Sequence, residues 1–450
     1  MAKAKTLGEG LEFDICSPEG QAMRAMAIEL MQSTLSARKN RVTDYRTMDQ
    51  VRVELLPVRD FYFQYFLGSY GIPKRSLLEI IGGKGLGKTT LALWIAGEII
   101  DKVGAPTLFL EGEGKPIDAN RSIRTMSTDP VRAKRLLNSI TFKSVKQLAE
   151  MHEELMLFCK TWRGENVRGK QGVAIPRSIP LIVIVDPFSK LLNQAEANGF
   201  YDYNKNMDEA NKKKAKDIGE GSNLGHSNWA AGWGRRLGHI MEFYNVLLIV
   251  THHQNCKIDM SAGGGGGISL PENTAALYNT VKIGGKATEQ NAATMIILAQ
   301  GGQVKDSDGS VRGKYINARV EKNSYGPGNR KISWELREVC DPFDIEGKYL
   351  DGALHFEDEM GKWMATEKLC GVTVDRKRYS SKELNLNGAT GLELSQAFHA
   401  DKDLMNKLGK DLRMVGYDDL VDRIEEEHRN EASEEKPTAK KKSKKDESAE

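Results

Sequence analysis

The sequence has little cysteine, no long apolar run and no excess of one charge. Five cysteines in 450 residues, Cys16, Cys159, Cys256, Cys340 and Cys370, stand far apart with no CxxC pair. That spacing argues against a disulfide framework or a Cys-ligated metal and fits a reducing cytoplasm. The longest apolar stretches, around Ile182–Val185 and Val246–Val250, are strand-sized. They fall far short of the roughly 20 residues a membrane helix needs, so no membrane partner is expected. Residues 1–15 mix Lys and Glu without an apolar centre, and no secretory signal is visible there. Lys and Arg number 65 against 62 Asp and Glu, a net charge of +3. Any nucleic-acid contact must then come from local positive loops rather than from bulk charge.

What is present is a soluble composition, 40% hydrophobic and 28% charged, with alternating strand-like and helix-like runs. Strands are expected at Leu77–Ile81, Pro106–Leu110, Leu181–Val185, Val246–Thr251, Thr294–Leu298, Lys314–Glu321 and Lys331–Leu336. Helices are expected at Thr90–Ile100, Val145–Cys159 and Trp229–Phe243. This alternation predicts an α/β fold with a mainly parallel sheet covered by helices, ending antiparallel where the intervening helices stop. Residues 16–40 carry Met23, Met26, Ala27, Leu30, Met31 and Leu35 at helical spacing. Two polar, loop-like segments stand out at 193–227, with Lys212, Lys213, Lys214 and Lys216, and at 255–286, with Gly263–Gly267. Loops of that length are usually functional or disordered. From Glu425 onward charge dominates, so a disordered tail is expected.

The pattern G-x-x-x-x-G-K-[ST] is met at Gly82, Gly87, Lys88 and Thr89, between an expected strand and an expected helix. Residues Gly82, Gly83, Lys84, Gly85, Leu86, Gly87, Lys88, Thr89 and Thr90 are thus a candidate phosphate cradle. Glycines let successive N–H groups turn toward an anion, and the helix N-terminus adds partial positive charge. Lys88 can reach the β- and γ-phosphates of ATP, and the Thr89 hydroxyl can hold Mg²⁺. Asp186, after five apolar residues, is the candidate second metal residue. Hydrolysis also needs a group to activate water. Strand Thr107–Leu110 ends in Glu111-Gly112-Glu113, and spacing alone leaves both carboxylates open. Thr251-His252-His253-Gln254 ends another strand, where a polar side chain can sense the γ-phosphate. The two histidines lack a Cys or carboxylate at ligand spacing, which argues against metal.

Together these residues resemble the RecA family of recombinases, and within it the UvsX-type recombinases of phages. The resemblance covers about 66 to 340. It includes Leu67-Gly68, Gly71-Ile72-Pro73, Glu79-Ile80, the P-loop, Phe109–Glu113, Val183–Asp186, Val250-Thr251-His252 and Val320-Glu321-Lys322-Asn323. Pro187-Phe188-Ser189 departs from the family's Asp-Ser, and Ser324 stands where RecA has a second basic residue. The resemblance implies catalytic roles for Glu113 and Lys88, a sensor at His252, and a Lys322 that reaches a neighbour's ATP. It also implies ATP and Mg²⁺ as cofactors, and single-stranded and double-stranded DNA as partners, gripped by the two long loops. A helical homo-oligomeric filament is implied, together with single-strand-binding and loader proteins and a cytoplasmic location, that of the host if phage-encoded. The corresponding division is an N-terminal oligomerisation segment (1–65), an ATPase core (66–340), a small C-terminal domain (341–424) and the charged tail (425–450). A hexameric replicative helicase shares the P-loop, the Glu and the strand-end Asp, but residues 1–65 are short for its partner domain. An ATP-assembled scaffold without turnover fits the full set Lys88, Thr89, Glu113 and Asp186 less well.

Overall fold

Four apolar runs become the centre of one large sheet. They are β3 (Leu77–Gly82), β4 (Thr107–Glu111), β8 (Leu181–Asp186) and β9 (Val246–Cys256). Their first five or six residues are buried on both faces, as strands of a covered parallel sheet must be. The computed structural model describes residues 26, 53–114, 122, 130–192, 232–256, 280–282, 286–305, 309–337 and 354–417. The chain divides into two units, 1–53 and 54–450. In the first, Met26 is helical and exposed, and the rest of the helix expected over 16–40 lies outside the described residues. So do the loop at 193–227, the Gly263–Gly267 run and the charged tail.

The same sheet takes in β5 (Ile140–Ser144), β11 (Ala292–Lys305), β12 (Val311–Asn323), β13 (Lys331–Arg337) and β14 (Leu354–His355), while β1 (Leu55–Pro57) pairs with β2 (Gly71–Pro73) and β6 (Asn166–Val167) with β7 (Lys170–Gln171). In the larger unit the strand order of this sheet is β14-β13-β12-β11-β3-β9-β8-β4-β5. From β11 to β5 every neighbouring pair is parallel. From β11 to β14 every pair is antiparallel. The mainly parallel α/β sheet with an antiparallel end is therefore present. The short strand β10 (Thr280–Lys282) pairs antiparallel with the far end of β9, Thr280 opposite Cys256 and Lys282 opposite Gln254.

Alternation along the strands sorts the core into two layers. Leu78, Ile80, Ile182, Ile184, Leu247 and Ile249 face the helix Lys88–Val103, whose Leu91, Ile95 and Ile99 meet them. Leu77, Val183, Val185, Val246, Leu248 and Val250 face the opposite side, under the helix Leu148–Trp162 and the helical residues 232–244. This two-sided cover fixes which side chain of each strand reaches the P-loop.

The aromatic run Phe61–Leu67 is a helix. Asp60 caps it by accepting the Phe63 N–H at 2.7 Å, and Gly68 closes it at φ 69°. Its rings anchor the C-terminal residues: Phe61 lies 5.0 Å from Phe398, and Tyr65 4.4 Å from Trp363. The Phe61 N–H donates to His399 Nε2 at 3.0 Å, and the Tyr70 N–H to the Val415 carbonyl at 2.8 Å. Residues 54–65 thus pack within the larger unit. Phe61→Ala, which removes a fully buried ring, is expected to destabilise this unit by about 3–5 kcal/mol, read as a lower denaturant midpoint.

Candidate functional site: the P-loop and the strand ends around it

Gly82 ends β3, and Gly87 at φ 76° opens the helix that begins at Lys88. Gly85 is also left-handed, at φ 74°, a conformation that L side chains rarely adopt. The loop between them is therefore shaped by glycine where the backbone must turn its N–H groups toward one point. Lys88 is buried and its Nζ donates to the carbonyls of Gly82 at 3.0 Å and Gly83 at 2.7 Å. The ammonium thus lies folded back onto the carbonyls of the loop itself.

Asp186 ends β8 next to this loop and is buried. The Thr89 hydroxyl donates to its Oδ2 at 2.5 Å, and the Thr251 hydroxyl to its Oδ1. Burial pushes the Asp186 carboxyl above its ordinary range, and the two hydroxyls and Lys88 act against that shift. A hydroxyl and a carboxylate joined at the mouth of a phosphate cradle are hard oxygen donors suited to Mg²⁺. These two would hold the ion, which would supply charge neutralisation at the phosphates.

The two carboxylates left open by spacing have different surroundings. Glu111 is buried and accepts from the Glu113 N–H at 2.6 Å, the Gly114 N–H at 2.9 Å and Ser144 Oγ at 3.2 Å. It staples the turn. Glu113 points into the site, its Oε1 2.6 Å from His253 Nε2. Nδ1 of the same ring lies 3.5 Å from Lys88 Nζ. Both contacts suit a neutral imidazole carrying its proton on Nε2, donating to Glu113 and accepting from Lys88. Burial pulls the His253 ring below its ordinary value, while the Glu113 hydrogen bond raises it.

The sequence expectation put the sensor at His252, and the structure places that residue elsewhere. Thr251 and His253 continue the face of β9 that meets the P-loop helix; His252 continues the face of Leu248 and Val250. It is fully buried, with Nε2 3.4 Å from Glu79 Oε1 and its ring 5.6 Å from Phe188. His253 is the residue brought to Lys88 and Glu113. The period of two separates the adjacent histidines onto opposite faces, and the sequence alone does not say which face meets the P-loop.

Lys322 is not brought to its own P-loop. It pairs with Met295, which lies beside Glu79, whereas Gly82 lies level with Leu298. The offset of three residues is about 10 Å along the strands. Its exposed Nζ donates to the carbonyls of Glu289 at 2.9 Å and Gln290 at 3.1 Å, ending the short helix Lys286–Asn291.

The fold and this site define a P-loop nucleotide-binding protein with a RecA-like core. No family model matches the chain. It is similar to the protein RecA of Ruminococcus albus, 25% identical over 293 residues, which is 65% of this chain and 58% of the relative. It is similar to the protein RecA of Caulobacter vibrioides, 22% identical over 72% of this chain and 74% of the relative. A third relative is the mitochondrial DNA repair protein recA homolog 3 of Arabidopsis thaliana, 22% identical over 74% of this chain and 64% of the relative. Distant as they are, these matches support the RecA family. Among the described residues no helix is long and apolar enough to cross a membrane.

Proposed function

We propose that the chain is an ATP-dependent DNA recombinase of the UvsX type, which forms a filament on single-stranded DNA and promotes homologous pairing and strand exchange. One observation carries the reading. Strand β9 brings Thr251 and His253 to the phosphate site and continues to Cys256, where it pairs with β10. The segment 257–279 between them, within the proposed second DNA loop, is thus rooted in the strand that touches the ATP site. The similarity to proteins named RecA supports recombination or DNA repair as the setting.

In this mechanism Lys88 leaves the loop carbonyls for the β- and γ-phosphate oxygens, and Thr89 and Asp186 would hold Mg²⁺, which would supply charge neutralisation there. Glu113 orients the attacking water and accepts its proton. His253, between Lys88 and Glu113, responds to the γ-phosphate and moves the loop stem through β9. The sensor role expected at His252 passes to this neighbour. Lys322 reaches the ATP of an adjacent subunit, so hydrolysis is coupled to filament assembly. The lysines of 193–227 contact DNA phosphates, and double-stranded DNA is the second partner. Single-strand-binding and loader proteins regulate filament growth.

The test is ATPase activity with and without single-stranded DNA, with the same samples imaged by negative-stain microscopy. DNA-stimulated hydrolysis on helical filaments is expected; closed rings with directional unwinding would identify a hexameric helicase and sink the proposal. For the interface, Lys322→Ala is expected to lower the ATPase about tenfold or more and to flatten its rise with protein concentration. An unchanged concentration dependence removes Lys322 from the interface.

A further inference from the structure

A second cation approaches the P-loop from the side opposite Asp186. Lys314 of β12 stands directly across from Leu336 of β13, so both side chains share one face of that ribbon. A Cβ built at Gly87 would meet Leu336 Cδ2 at 3.0 Å, which shows that this face lies against the P-loop. On the same face, Lys314 Nζ lies 3.7 Å from where a Cβ of Gly85 would be. The neighbouring Tyr315 points the other way and donates to Glu335 Oε1 at 3.1 Å. The register and the measured approach agree, and Lys314 is half-buried.

Strand order gives this position a chemical meaning. Thr89, Asp186, Glu113 and His253 cluster on the β9–β8–β4 side of β3. The γ-end of a bound triphosphate belongs there. The loop that follows β3 would cradle the phosphates, so with the γ-end on that side the α-end would lie toward the β11–β13 side, where Lys314 stands. We infer that Lys314 is a nucleotide-binding residue that contacts the α-phosphate from outside the P-loop. It differs in kind from Lys88, which serves the transferred end. The inference rests on the reading that Gly82–Thr90 holds a nucleoside triphosphate, and it is independent of any role in DNA exchange.

The experiment is a binding titration of the full chain with fluorescently labelled ATP and ADP, with Mg²⁺ and without DNA. Lys314→Met keeps the aliphatic stem and removes the charge. It is expected to raise the Kd for ATP and for ADP alike by about tenfold, the scale of one charge-assisted hydrogen bond. Lys314→Arg is expected to retain most of the affinity, and the nucleotide-free unfolding temperature to stay unchanged in both variants. Equal affinities in wild type and Lys314→Met overturn the inference, as does a loss confined to ATP, which would belong to the γ-phosphate. A lowered unfolding temperature without nucleotide also overturns it, assigning Lys314 to loop support. If the wild-type chain binds neither nucleotide, the P-loop reading itself fails and the inference falls with it.

Discussion

Glu113→Gln lowers ATP hydrolysis by about 10²–10⁴-fold while ATP binding and DNA binding persist, the range for loss of a general base. Glutamine keeps the shape of the side chain and an oxygen that can accept from His253 Nε2, so the cradle and β9 stay in place. What disappears is the basic carboxylate. Glu111→Gln is the control that gives the result meaning. Glu111 holds two backbone N–H groups of the turn and the hydroxyl of Ser144 at the end of the neighbouring strand β5. Its amide variant should weaken the turn by about 1–2 kcal/mol and leave the chemical step largely intact. Steady-state and single-turnover rates on both variants, with nucleotide binding measured separately, decide the matter. If Glu111→Gln abolishes turnover and Glu113→Gln does not, the assignment of the base is wrong. If Glu113→Gln loses ATP binding itself, the residue is part of the cradle.

The central sheet was readable because β3, β4, β8 and β9 are covered on both faces and so appear as apolar runs, broken only by Glu79 in β3, each followed by glycine or polar residues. The same fact hid which histidine meets the P-loop. A strand that is apolar on both faces carries no visible phase, so nothing in Val246–Val250 says which of two adjacent histidines faces the P-loop. That is decided by which face the helix from Lys88 covers. Other parts were obscured by size or exposure. The edge strand Ile140–Ser144 has its side chains largely exposed and only five residues, too few to show a period. The helix Phe61–Leu67 has so many aromatics that its pattern suggests a strand, and it forms because rings from Trp94, Trp363 and Phe398 surround it. Lys314 gave no motif at all. Its nearness to Gly85 depends on the pairing of β12 with β13, a long-range property.

Changing the two histidines one at a time separates the site from the core behind it. His253→Ala removes the group between Lys88 and Glu113. Folding should be nearly unaffected, since the ring is partly exposed, and ATP binding should survive through Lys88 and the loop. Stimulation of hydrolysis by single-stranded DNA should fall by about tenfold or more, within the 1–3 kcal/mol typical of coupling between sites. His253→Gln, which can still donate to a carboxylate and accept from an ammonium, should restore much of it. His252→Ala acts in the opposite way. It opens a space in a layer shared with Phe188 and strips a fully buried polar neighbour from Glu79, at a cost of about 3 kcal/mol. Its unfolding temperature should drop by several degrees, while in the folded fraction the ratio of DNA-stimulated to basal hydrolysis stays near that of the wild type. The reverse pattern, a stable His252→Ala uncoupled from DNA beside a fully coupled His253→Ala, would mean that the signal passes through Glu79 behind the sheet. The geometry argues against that route, because His253 alone of the pair touches both Lys88 and Glu113.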